Sequence, residues 1–167
     1  DTIISFSTSG TATEGVDYEQ IQNVTIPASN NTIVTGFTLR AIADAVYEGE
    51  DETITIHIES VNGDAVEDGD QSVTLTMPES TEKPSVFLSI DGDSTTETGS
   101  NANIVATMSQ LTDFDVTIVL SAGGDAIEGV DYAELADIVI PAGQLSSSVP
   151  LNPLADEEAE GQETASI

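Results

Sequence analysis

The chain has 167 residues, 31 of them Asp or Glu against two basic side chains, Arg40 and Lys83, for a formal net charge of −29. Nucleic acids and anionic membrane surfaces demand Lys and Arg to neutralise phosphate, so both are excluded as partners. No Cys is present, so no disulfide holds the fold, and no run of 18 apolar residues marks a membrane-inserted span. An excess of acid this large has three readings: a solvated acidic surface, a halophile-like surface, or clustered carboxylates that hold divalent cations.

In chain order the pattern is β throughout, with Thr, Val, Ile and Ser recurring at period two and weak helix signals. Thr2–Ser7 reads as a strand and Thr8–Asp17 as a turn-rich loop. Ile21–Ile26 is a second strand, stopped by Pro27. After a turn at Asn30-Asn31 comes a long strand, Thr32–Ile42, and then an acidic loop, Asp44–Glu52. Thr53–Val61 alternates cleanly, Ile54, Ile56 and Ile58 inward, Thr53, Thr55, His57 and Glu59 outward. A Gly/Asp-rich hairpin loop, Asn62–Asp70, leads to a strand at Ser72–Met77. The Pro-bracketed segment Pro78–Pro84 reads as a semi-stiff spacer. Beyond it follow strands at Ser85–Ile90, Asn103–Ser109, Asp115–Ser121, Ile138–Ile140, Gln144–Leu151 and Thr164–Ile167, with acidic turns at Asp91–Asn101 and Asp156–Glu163.

One stretch occurs twice. Gly10-Thr-Ala-Thr-Glu-Gly-Val-Asp17-Tyr18 returns as Gly124-Asp-Ala-Ile-Glu-Gly-Val-Asp131-Tyr132, and eight residues after each Tyr begins Ile-Pro-Ala, at Ile26 and Ile140. Both landmarks share an offset of 114 residues, the signature of an internal repeat. The expected architecture is all-β: two tandem immunoglobulin-like β-sandwich units, 1–82 and 83–167. By the offset Asp1 corresponds to Asp115, and the second copy ends near the counterpart of Thr53–Ile56. Each unit is therefore expected to be incomplete in this chain, the first lacking its first strands and the second its last. The missing strands would come from adjacent repeat units of the same protein or from neighbouring identical chains, the latter by strand donation.

The acidic loops are the candidates for chemistry. Asp44-Ala-Val-Tyr-Glu48-Gly-Glu-Asp51-Glu52 and Asp156-Glu-Glu-Ala-Glu160-Gly-Gln-Glu163 share an Asp, a Glu four residues on, a Gly and further acids. Crowded carboxylates repel unless screened or bridged. Calcium, a hard cation that takes six to eight oxygens, is the natural bridge, and the Gly lets the chain wrap an ion. The spacing is not that of an EF-hand. Catalysis lacks support: there is one His, no Cys, no Gly-x-Ser-x-Gly and no phosphate loop, and seven aromatic residues without a Trp make a poor sugar platform. The chain is read as a non-enzyme. His57 reads as a surface residue of a polar face, and Tyr18 and Tyr132 as plugs of the sandwich edge.

The repeated stretch, the Ile-Pro-Ala and the Asp-x-x-x-Glu-Gly-x-x-Glu loop together resemble Calx-beta domains. These are the calcium-binding sandwiches of sodium–calcium exchangers, of an integrin cytoplasmic tail and of many large bacterial surface proteins. The resemblance runs over nearly the whole chain, and Thr95-Thr96-Glu97-Thr98-Gly99 is similar to the family's first-loop Glu motif. It implies calcium ligands at Glu97, Asp131, Asp156, Glu160 and Glu163 in the second unit and at Asp17, Asp44, Glu48 and Glu52 in the first. Turn capping is the alternative role for Asp17 and Asp131. High-affinity members carry two or three Asp before the Glu, where this chain has Ala43-Asp44-Ala45 and Ala155-Asp156-Glu157, and the first unit has no first-loop Glu. The expectation is weak or structural calcium, with the fuller site in the second unit.

The function expected is a calcium-binding structural module of a large extracellular or cell-surface adhesin or fibre, its domain junctions rigidified by calcium. The alternatives are a calcium-sensing regulatory module and a self-assembling filament subunit completed by strand exchange.

Overall fold

A computed structural model describes residues 1–28, 36–63, 65–92, 102–155 and 161–167. The described residues contain strands and no helix, and they group into two compact units. Unit 1 comprises Asp1–Asp44 and Gly49–Ser80; unit 2 comprises Ala45–Glu48 and Thr81–Ile167.

Unit 1 is built on an antiparallel sheet of order β2-β1-β4-β5, with β1 Thr2–Gly10, β2 Val24–Ile26, β4 Glu52–Asn62 and β5 Ser72–Met77. The alternation of β4 does what period two dictates: Ile54 and Ile56 are buried, Ile58 is half-buried, and Glu59 is exposed. Opposite them β1 turns Phe6, Thr8 and Gly10 inward, after a bulge between Ser5 and Phe6. Ala12, Tyr18, Ile54 and Ile56 form the core, with Phe6, Ile21, Phe37, Leu39 and Met77 packed around it. The Phe6 and Phe37 rings meet edge to face at 4.9 Å. On the outer face His57 Nε2 and Ser9 Oγ lie 3.0 Å apart, and Thr55 and Thr74 share a hydroxyl bond of 2.8 Å.

The long strand expected over Thr32–Ile42 differs from what is found. Its first part and the Asn30-Asn31 turn lie outside the described residues; 36–42 is irregular, save for an antiparallel bridge from Ala41 to Tyr18. The equivalent segment of unit 2 is a strand because another strand runs beside it. Among the described residues none runs beside 36–40, and a strand without a ladder partner has no stabilised state.

In unit 2 the sheet runs β12-β7-β6, from β6 Val86–Asp91, β7 Ala102–Met108 and β12 Ser146–Leu151, all antiparallel. Central β7 buries Ala102, Ile104, Ala106 and Met108, and Pro150 sits on edge strand β12, where a missing N–H costs no ladder bond. A second layer pairs β9 Val116–Ile118 with β11 Ile138–Ile140. Ile104, Ala106, Met108, Ile138 and Ile140 form the core, with Leu120, Val149, Leu151 and Ile167 among the residues against it. Short pairs complete the unit: β10 Gly123–Gly124 with β13 Ala165–Ser166, and β3 Val46–Tyr47 in parallel with β8 Leu111–Thr112. The Tyr47 ring meets Phe114 edge to face at 6.2 Å. Thus Asp44–Glu52 is not all loop: its apolar dipeptide forms β3, and Glu52 opens β4. The strand expected over Asp115–Ser121 is interrupted after Ile118. Its counterpart β1 is continuous from Thr2 to Gly10 and pairs with β4 from Ile3 to Gly10.

The repeat is visible in hydrogen bonds. Asp1 Oδ1 accepts the Ala28 amide at 2.8 Å, and Asp115 Oδ1 accepts that of Ala142 at 2.9 Å. The offset stays at 114 through Tyr18 and Tyr132. It falls to 112 where these residues bridge to Ala41 and Pro153, and to 111 where Thr53 and Thr164 receive the amides of Ala12 and Ala126. Between these landmarks the second copy is three residues shorter than the first.

Candidate metal centre

The repeated turn is one local design used twice. In unit 1 the amides of Val16 and Asp17 donate to the Thr13 carbonyl at 3.1 and 2.9 Å, and Gly15 donates to the Tyr18 carbonyl at 2.8 Å. Unit 2 has the same three bonds at 3.1, 2.9 and 2.8 Å, from Val130, Asp131 and Gly129. The Asp side chain closes the turn. Asp17 Oδ2 accepts the Thr13 amide at 2.5 Å, and Asp131 Oδ2 accepts the Ile127 amide at 2.6 Å. Turn capping is therefore a role both residues fill. It occupies one oxygen of a carboxylate that has two.

The Tyr after each Asp anchors the turn to the core. Tyr18 is 1% exposed and its hydroxyl donates to Thr8 Oγ1 at 3.0 Å; Tyr132 is 5% exposed. Burial, then the carboxylates of Glu128 and Asp131, push the Tyr132 phenol above its ordinary pKa. Backbone bonds at 2.9 Å from the Glu19 amide to the Arg40 carbonyl, and at 2.8 Å from the Ile42 amide to the Asp17 carbonyl, clamp the turn to the segment entering the acidic loop. On the loop's far side the Thr53 amide donates to Thr11 Oγ1 at 2.8 Å. Between these anchors the chain turns at Gly49, whose φ is 94°.

These constraints bring three carboxylates together. One oxygen each from Asp17, Glu48 and Glu52 lies within 4.8 Å of the others. Three ionised carboxylates at that spacing oppose one another by about 1–3 kcal/mol per pair, for effective dielectrics between water and a protein surface. A divalent cation reverses the sign of that term. The set is all hard oxygen, with no thiolate or imidazole, and so suits calcium rather than a soft transition metal.

Of the other expected ligands, Glu97, Asp156 and Glu160 lie outside the described residues. Asp44 is exposed and stands outside the three-carboxylate group, Asp131 is half-buried in its turn, and Glu163 is exposed. Asp51 takes a structural part instead, its Oδ1 accepting the Glu79 amide at 3.0 Å.

Sequence reasoning passed over Gly10 and Gly124, the opening residues of the repeat. Their φ values are 129° and 114°, and an added Cβ would stand 2.1 Å from the Thr53 oxygen and 2.0 Å from that of Thr164. Each glycine lets two backbones cross beside the residue that follows the loop's last Glu. Its place in both copies was the signal that could have found it.

Among the described residues no helix is long and apolar enough to cross a membrane. The comparison with curated proteins returns no match, and neither does that with solved structures. The family model of the Calx-beta domain matches twice, over residues 1–98 and 81–167. Calx-beta domains are calcium-related β-sandwich modules with structural or regulatory roles, found in extracellular or surface proteins and in exchangers. With an all-β fold, a turn and a loop that recur, and matches spanning both copies, the chain belongs to the Calx-beta domain family.

Proposed function

We propose that this chain is a calcium-binding structural module of a large extracellular or cell-surface protein, an adhesin stalk or fibre, in which calcium stiffens successive units. The observation that carries the reading is the group formed by Asp17, Glu48 and Glu52. Three carboxylates, one of them shared with a turn, suit the affinity of extracellular calcium modules, with Kd on the order of 0.1–1 mM. In this role Asp17 ties an ion to the core through its turn and Tyr18, while Glu48 and Glu52 tie it to the two sides of Gly49.

The test is thermal melting in chelator, in 10 mM calcium and in sodium of matched ionic strength. Calcium at some twenty times Kd stabilises by about 2 kcal/mol. Melting should therefore rise by several degrees in calcium alone, and the rise should shrink in Glu48→Gln and Glu52→Gln. Stability that follows ionic strength and ignores calcium would establish the halophile-like surface instead. A micromolar midpoint would replace the structural role with a sensing one.

A further inference from the structure

The clamp that ties the repeated turn to the acidic loop closes over one particular peptide bond. The Arg40 carbonyl accepts the Glu19 amide at 2.9 Å, Ala41 bridges to Tyr18, and the Ile42 amide donates to the Asp17 carbonyl at 2.8 Å. The Arg40–Ala41 bond therefore lies between two backbone bonds to the turn. Unit 2 closes the same clamp with the Asn152 carbonyl, Pro153 and the Leu154 amide.

Arg40 is one of two basic residues in the chain. Its side chain is 70% exposed, and its 4.0 Å approach to Glu19 is a solvent-exposed ion pair of little strength. Endoproteases with an acidic S1 pocket cut after Arg or Lys. Lys83 is followed by Pro84, whose ring crowds the leaving nitrogen. Unit 2 has Asn152-Pro153 where unit 1 has Arg40-Ala41. Arg40–Ala41 is thus the one bond in this chain that such an enzyme can cut efficiently.

The side chain is presented, but the bond is not. Hydrolysis needs the Arg40 carbonyl oxygen in the protease's oxyanion hole, and in the clamp that oxygen is bound to the Glu19 amide. Cleavage requires 40–42 to lift from the turn, a local opening whose population sets the rate when reclosing is fast. The same turn carries Asp17, and the loop with Glu48 and Glu52 continues from Ile42. A cation that holds these three carboxylates together opposes the lifting.

We propose that Arg40–Ala41 is a processing site for an arginine-directed endoprotease, held shut by the clamp and locked by calcium. Water adds across the bond, leaving a carboxylate on Arg40 and an ammonium on Ala41. The cut puts Asp17 on one fragment and Glu48 and Glu52 on the other, so loss of calcium opens the way to irreversible loss of the site. The calcium lock rests on the function proposed above; the clamp does not.

Trypsin is the probe, used on the intact chain in chelator, in 10 mM calcium and in matched sodium, its activity in each buffer normalised with a small arginine amide. Mass spectrometry should find fragments 1–40 and 41–167, and neither from Arg40→Gln. In chelator the chain should be cut at least ~10-fold more slowly than a synthetic peptide of residues 36–45. Calcium at some twenty times Kd should slow the cut about 20-fold further, because the closed form alone binds it, and Glu52→Gln should lose that protection. A chain cut as fast as the peptide would overturn the clamp. Calcium that raises melting yet leaves the cutting rate unchanged would overturn the lock while the calcium site stands. Calcium that changes neither would overturn the lock together with the calcium site.

Discussion

Replacing Gly10 by Ala tests whether the repeated stretch is held by a backbone crossing. The added methyl would sit 2.1 Å from the Thr53 carbonyl oxygen and 2.9 Å from its carbon, at a φ of 129°. That conformation costs an L-residue about 1–3 kcal/mol. Relieving the contact moves the start of β4. This breaks the Ala12 amide bond to Thr53, 3.1 Å long, and strains the Gly10–Ile54 pair, at about 1 kcal/mol each. The sum, about 3–5 kcal/mol, is a large part of the 5–15 kcal/mol that holds an ordinary domain. Gly15 is the internal control: its φ is 83° but nothing lies within 4 Å of an added Cβ, so Gly15→Ala should cost only about 1–2 kcal/mol. In thermal unfolding at ~4–8 °C per kcal/mol for units of this size, Gly10→Ala should melt more than ~10 °C below the parent and well below Gly15→Ala. Equal effects of the two substitutions would refute the crossing as the cause. Gly124→Ala should reproduce the loss in unit 2.

Asp17→Ala removes the cap from the Thr13 amide and should cost about 1–2 kcal/mol in denaturant titration. Asp17→Asn keeps an acceptor oxygen, so it should leave melting in chelator near the parent and lose part of the calcium-induced rise. Ile140, fully buried, should cost about 2–5 kcal/mol when replaced by Ala, while its neighbour Val139, 43% exposed, should cost under about 0.5 kcal/mol. Tyr132 sets an alkaline limit. Its phenol ionises near pH 10 when unfolded but at higher pH when folded. Its contribution is therefore intact below pH 10 and falls as pH rises from there through the folded pKa. Tyr132→Phe should flatten that fall in unfolding followed between pH 9 and 12, and an unchanged profile would remove Tyr132 as its source.

The sequence alone established the fold class, the repeat and most strands. Each rests on a short-range rule: alternation in Thr53–Val61 places Ile54 and Ile56 inside whatever the partner strand, and Pro27 ends a strand through its own missing N–H. Composition likewise bounded the chemistry, since carboxylates without Cys or paired His admit hard cations and little else. What the tertiary structure decided depends on partners distant in the chain. Whether 36–40 is a strand turns on a neighbour beside it. The grouping of Asp17 with Glu48 and Glu52 depends on bonds from Ile42 to Asp17 and from Thr53 to Thr11, which no local pattern encodes. The same holds for Gly10 and Gly124. Residue type permits a positive φ, but only the approach of Thr53 and Thr164, some forty residues on, makes a side chain there intolerable.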